Sequence, residues 1–71
     1  MIQWKQTTED DGQLSWKLLR HDGTTAATVW VNALWHTWDE DGAGGENGKG
    51  TDILHAKHES LLSALNQGFL P

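Results

Sequence analysis

The dipeptide Asp22-Gly23 is flanked on both sides by apolar residues in alternation, a pattern that specifies a β-hairpin. A two-residue loop of type I′ pairs positions whose numbers sum to 45, so Leu14 faces Val31, Trp16 faces Val29 and Leu18 faces Ala27. All six are apolar and share one face. The other face sets Leu19 against Ala26, Lys17 against Thr28 and Ser15 against Trp30, and is mostly polar. A slip of one residue would turn the apolar set to solvent, so turn and pattern specify one register.

Upstream, Ile2 and Trp4 alternate with Gln3 and Lys5 and read as a first strand. The polar connection Thr7 to Gly12 has the composition of a turn. A loop of about five residues keeps Trp4 on the apolar face, near Leu18 or Trp16. Residues 1–33 thus form an antiparallel meander, with strands over about 1–6, 13–21 and 24–33. Its buried face holds Trp4, Leu14, Trp16, Leu18, Val29 and Val31.

Downstream, alternation continues through Ala33 and Trp35, with Leu34, His36 and Trp38 on the opposite side. Either the third strand is long and bent, or a short fourth strand over 35–39 follows a break near Asn32. Five glycines lie between Gly42 and Gly50. Such a stretch propagates neither helix nor packed strand without a large entropic cost, so residues 39–50 read as a mobile, acidic loop. No internal repeat is visible.

A helix over about 52–67 follows, capped by Thr51 or Asp52, with Leu54, His58, Leu61, Leu62 and Leu65 at helical spacing. Gly68 suits the left-handed position after the helix, and Phe69 can pack back on the last turn. The expected fold is therefore α+β: a three- to four-stranded antiparallel β-meander with one C-terminal α-helix packed on one face, in two layers.

The chain has 71 residues and no cysteine, which excludes disulfides and thiolate metal sites. No apolar run reaches membrane-spanning length, and the opening Met1-Ile2-Gln3-Trp4-Lys5 lacks the features of a signal peptide. A cytoplasmic location and no membrane partner are expected. Ten acidic residues against five basic ones give a net charge of −5, which disfavours direct nucleic-acid binding and suits solubility or docking on a basic surface.

Motifs for chemistry fail on inspection. Gly42 to Thr51 resembles a phosphate-binding loop ending in Gly-Lys-Gly-Thr. However, Ala43 stands where a glycine is required, and Gly50 stands where a hydroxyl would hold magnesium. Asp39 and Asp41 match the start of a calcium loop, but Ala43 takes the third ligand position and no glutamate closes it. His55 and His58 have ligand spacing on the helix, yet no third ligand is evident. Ser60 and Ser63 lack the context of a nucleophile. No catalytic residue, metal or cofactor is expected.

Five tryptophans are more than a small core needs. Strand parity gives Trp4 and Trp16 to the face under the helix, and Trp35 to the core. Trp30, Leu34 and Trp38 fall on the other face, beside Asp39, Glu40, Asp41 and Glu46. Aromatic anchors beside charged residues make a protein-binding surface, and these seven residues are the candidate site. Two alternatives stand: a ligand- or metal-binding domain using the glycine-rich loop and histidines, and a nucleic-acid-associated structural protein.

The chain also resembles small uncharacterised proteins of bacteriophages and prophages. The resemblance lies in Trp16-Lys17-Leu18, Asp22-Gly23-Thr24, Ala26-Ala27-Thr28-Val29, Trp38-Asp39, Gly42, Gly44-Gly45-Glu46-Asn47 and Gln67-Gly68-Phe69. It implies a phage accessory protein that binds and inhibits a host protein or complex in the bacterial cytoplasm, as anti-CRISPR proteins and polymerase inhibitors do. It assigns no residue a role.

Overall fold

The computed structural model describes residues 3–70. It contains β1 (Gln3–Thr8), β2 (Leu14–Leu19), β3 (Thr25–Trp30), β4 (Leu34–Trp38), β5 (Gly44–Lys49) and α1 (Ile53–Asn66). Met1 and Ile2, which open the expected first strand, lie outside the described residues. The strands form one antiparallel sheet in the order β1-β2-β3-β4-β5, with α1 as the second layer. The α+β two-layer architecture is as expected, but the meander has five strands.

The central hairpin keeps its register, with Trp16 opposite Val29 and Leu18 opposite Ala27, and Trp4 stands opposite Leu18. Its turn is not type I′. Gly23 alone takes a positive φ of +87°, because the Asp22 carboxylate accepts from the Thr24 N–H at 2.9 Å and the Thr24 hydroxyl at 2.6 Å. Arg20 N–H then donates to Thr24 O, and Gly23 N–H to Arg20 O. This is a three-residue loop ending in a bulge. Leu19 therefore meets Thr25 rather than Ala26, and an irregularity between Leu18 and Leu19 restores the expected register.

The same turn recurs along the chain. Gly12 (φ +86°), Ala33 (φ +67°) and Gly42 (φ +85°) each donate from N–H to the carbonyl three residues earlier, as Gly23 does. Asp11, Asn32 and Asp41 precede them, as Asp22 precedes Gly23. An Asx residue followed by a left-handed residue is thus the punctuation of the meander. The sequence showed it as Asp-Gly at three sites; Asn32-Ala33 concealed the fourth.

Residues 39–50, expected as one loop, hold a turn and a fifth strand. After the turn at Gly42, β5 pairs with β4, setting Leu34 against Lys49, Trp35 against Gly48 and His36 against Asn47. The glycines are there for close approach. A Cβ on Gly48 would stand 2.7 Å from the Trp35 ring. One on Gly45 would stand 2.5 Å from the Phe69 ring and 2.6 Å from the Thr37 hydroxyl. One on Gly50 would meet the Ala56 backbone nitrogen at 2.5 Å. Packed backbone therefore compensates for the entropic cost of ordering glycine.

That close approach also decides which face of α1 is buried. Asp52 caps the helix, accepting from His55 N–H at 2.8 Å. At the other end Gly68 has φ +77° and Phe69 N–H donates to Ala64 O. The helix buries Ala56, Ser60, Ser63 and Ala64 against β3, β4 and β5. Of the stripe expected in the core only Leu61 packs there; Leu54 is 76 % exposed, His58 is exposed, and Leu62 and Leu65 are each 43 % exposed. At Ala56 a small residue is required because Gly50 brings its backbone against the helix, leaving no room for leucine there. Leu14 and Val31, also expected in the core, are exposed beyond the end of the β2–β3 ladder.

The core beneath the helix has two parts. Leu18, Ala26, Ala27, Ala64 and Leu70 form one, with Phe69, Leu61 and Trp4 against it. Val29, Ala33 and Ala56 form the other, flanked by Trp4, Trp16, Trp35 and Ile53. Lys57 spans the open side, its ammonium 5.7 Å from the Trp4 ring and 5.4 Å from the Trp16 ring.

Candidate functional site

Helix-side residues alternate with residues pointing the other way, and no element of the described chain covers that outer face. Cross-strand partners share a face. The pairings Lys5–Lys17, Lys17–Thr28, Thr28–His36 and His36–Asn47 therefore draw one polar row across all five strands. The adjacent row runs Thr7, Ser15, Trp30, with Leu34 and Lys49 facing each other at its far end. Trp38 lies on the other side of the polar row, next to the turn that carries Asp39, Glu40 and Asp41.

Trp30 and Trp38 are each half-buried, and both lie against the sheet. Trp30 donates its indole N–H to a Glu9 carboxylate oxygen at 3.1 Å, and Trp38 donates to the Thr28 hydroxyl at 3.2 Å. Beneath them Ser15 is fully buried and Thr28 nearly so, although both belong to the open face. Ser15 shares a 2.7 Å hydroxyl contact with Thr7. The rings act as lids on this polar floor and keep one face toward solvent. His36 packs on Trp38, with ring centroids 4.4 Å apart.

Two shallow clefts flank that ring pair. One, of about 480 Å³, is walled by Trp30, Leu34, Trp35 and His36, with Lys49 and Asn47 on its rim. The other, of about 390 Å³, lies between Lys17, Thr28 and Trp38 and the acidic turn Asp39–Gly42. The structure thus brings six of the seven candidate residues to one side: Trp30, Leu34, Trp38, Asp39, Glu40 and Asp41. Asp39 also has structural work, accepting from Asp41 N–H at 2.9 Å and Ala43 N–H at 2.8 Å.

Glu46 is elsewhere. It faces the helix and accepts from the Ser63 hydroxyl at 2.5 Å. Gln67 completes this network, donating to the Thr37 hydroxyl at 2.9 Å and accepting from Glu46 N–H at 3.2 Å. Trp35 lies partly against the core and partly in the first cleft, its ring laid over Gly48 on β5.

Sequence reasoning placed Lys17 on this face but did not count its cations into the candidate site. Lys5, Lys17 and Lys49 all point outward with no partner among the described residues, and no strand carboxylate joins them. Alternation of Lys5 with Trp4, and of Lys17 with Trp16, was the available signal. The carboxylates of this region stand in turns at the sheet ends.

Residues weighed for the alternative chemistries have partners within the fold. The glycine-rich stretch runs as strand β5 rather than as a loop, and several of its N–H groups have partners within the fold: Gly42 donates to Asp39 O, Ala43 to the Asp39 carboxylate, Glu46 to Gln67 and Gly50 to Ala33 O. His55 accepts from Thr51 N–H through Nδ1 and bonds Glu59 through Nε2 at 3.1 Å. Among the described residues no three His, Asp or Glu side chains converge as metal ligands, and no helix is long and apolar enough to cross a membrane. No family model, curated protein or solved structure matches the chain.

Proposed function

We propose that this chain is a non-enzymatic protein-binding module that docks a partner on its outer sheet face. The carrying observation is that Trp30 and Trp38 lie on the uncovered face with their indole N–H groups bonded internally. Rings held in this way lose little conformational freedom on binding, and their desolvation leaves no donor unpaired. Leu34, 43 % exposed between them in sequence, adds an apolar contact. Hot spots have this composition.

The biological setting we propose is that of a phage accessory protein acting on a host protein or complex in the bacterial cytoplasm. It rests on the resemblance in sequence. The shallow clefts and the internal bonding of His55 support a role without catalysis.

Leu34→Glu tests the surface directly. It places charge on an exposed site, so the melting temperature should stay within a few degrees while capture of the partner from host lysate is lost. Trp38→Ala should weaken capture in parallel. Undiminished capture by both variants would remove the outer face from consideration.

A further inference from the structure

The chain carries a net charge of −5, yet the strand residues of its open face carry cations and no carboxylate, the acids standing in the turns at the strand ends. Of five Lys and Arg residues, Arg20 is buried in structural hydrogen bonds and Lys57 lies over Trp4 and Trp16. The remaining three, Lys5, Lys17 and Lys49, all stand on the outer face with Trp30, Trp38 and His36. Lys5 and Lys17 are direct cross-strand partners, an arrangement that destabilises a sheet. Nothing in the packing requires it. The polar row they begin continues through Thr28, His36 and Asn47, and all five can donate hydrogen bonds.

We infer that the partner segment taken by this face is an extended acidic peptide with one large apolar side chain. The inference rests on the outer face being the docking face. Charge complementarity selects acidity, because none of the three lysines is ion-paired among the described residues and the strand residues around them carry no carboxylate; only Lys17 shares a cleft with acidic residues, those of the Asp39–Asp41 turn. The acidic turns Glu9–Asp11 and Asp39–Asp41 stand at the strand ends, to either side of a path across the strands, and repel a peptide that strays from it along the strands. The cleft of Trp30, Leu34, Trp35 and His36 receives the apolar side chain. From the β1–β2 lysines to Lys49 on β5 is three to four strand spacings, roughly 14–19 Å. An extended chain covers that distance in about five residues, which sets the separation of the two carboxylates.

Fluorescently labelled peptides of eight residues provide the test: two glutamates five residues apart with leucine between them, the same peptide with glutamine for glutamate, the same with lysine, and an oligothymidylate of eight nucleotides. Anisotropy is read against the full chain at low and moderate salt. The glutamate peptide should bind at least about tenfold more tightly than the glutamine and lysine peptides, as two charge-assisted contacts require. Lys17→Gln and Lys49→Gln should each weaken it about fivefold or more without lowering the melting temperature. Equal binding of the glutamine or lysine peptide, indifference to both substitutions, or no binding by any peptide overturns the inference. Tighter binding of the oligonucleotide, lost on Trp30→Ala, assigns the face to single-stranded nucleic acid and also overturns it. If Leu34→Glu abolishes partner capture while Lys17→Gln and Lys49→Gln leave capture intact, the docking face stands and only the acidic partner fails.

Discussion

Arg20 and Phe69, 49 residues apart in the chain, are joined by a 2.7 Å hydrogen bond from the Arg20 Nε–H to the Phe69 carbonyl. The same guanidinium donates to the Thr24 hydroxyl at 3.1 Å, to Thr25 O at 2.9 Å and to Trp38 O. One buried side chain thereby ties the β2–β3 turn, the end of β4 and the segment after the helix. Its partners are carbonyls and a hydroxyl, so the charge is spread over dipoles rather than neutralised by a carboxylate. Trp38, the aromatic residue at the acidic end of the candidate site, has its backbone fixed by this clamp.

Arg20→Met should therefore cost about 3 kcal/mol or more, since it strands several buried carbonyls at once. Arg20→Lys should recover only part, because an ammonium cannot reproduce the planar fork. Chemical denaturation of the three chains measures this. A loss under about 1 kcal/mol for Arg20→Met would mean the clamp is not formed.

Substitution of glycines separates two reasons for their presence. Gly50→Ala drives a methyl against the Ala56 backbone and should displace the helix, costing about 3 kcal/mol or more. Gly12→Ala meets no neighbouring atom and should cost about 1–2 kcal/mol, the penalty of a left-handed alanine. Thermal melts rank the two. The reverse order would show that β5 and α1 are loosely associated.

The contrast between these glycines shows what the sequence could and could not reveal. The register of β2 on β3 was legible because parity and turn residue act locally and agree. The parity of Trp30, Leu34 and Trp38 was legible for the same reason. Strand β5 was hidden because glycine carries no alternation, and its pairing is stabilised by Trp35 and Phe69, which are distant in sequence from most of it. Helical spacing identified α1 but misplaced most of its buried face, Leu61 excepted, since the leucine stripe was weighed without the close approach of Gly50 to Ala56. Glu46 was assigned to the site by adjacency to Asp41, whereas the bend between them turns it to Ser63.

Asp22 links the hairpin turn to pH. Hydrogen bonds from the Thr24 hydroxyl and N–H hold its carboxyl below the ordinary aspartate value of 3.8, with Arg20 adding to the effect. A carboxyl depressed in the folded state contributes stability that is fully present above its unfolded value and is lost as pH falls through the folded one. Asp22→Asn keeps an acceptor oxygen but cannot titrate. The stability difference between the two chains should be constant from neutral pH down to about 4, then shrink on further acidification. A difference that widens toward acid would contradict the depressed ionisation.

Lys5→Glu sets stability against recognition. Lys5 and Lys17 face each other across β1 and β2, both outward. Reversing one charge replaces repulsion with an ion pair at an exposed site, a gain of up to about 1 kcal/mol that salt should diminish. For a domain of this length that raises the melting temperature by at most roughly 4–8 °C at low salt. The same change removes a cation from the docking face and adds a carboxylate, so binding of the glutamate peptide should fall. Thermal melts and anisotropy on one preparation give both numbers. A more stable chain that binds the peptide less well identifies the lysine pair as held for binding. A chain with unchanged stability and unchanged binding would show that the two ammonium groups are simply solvated.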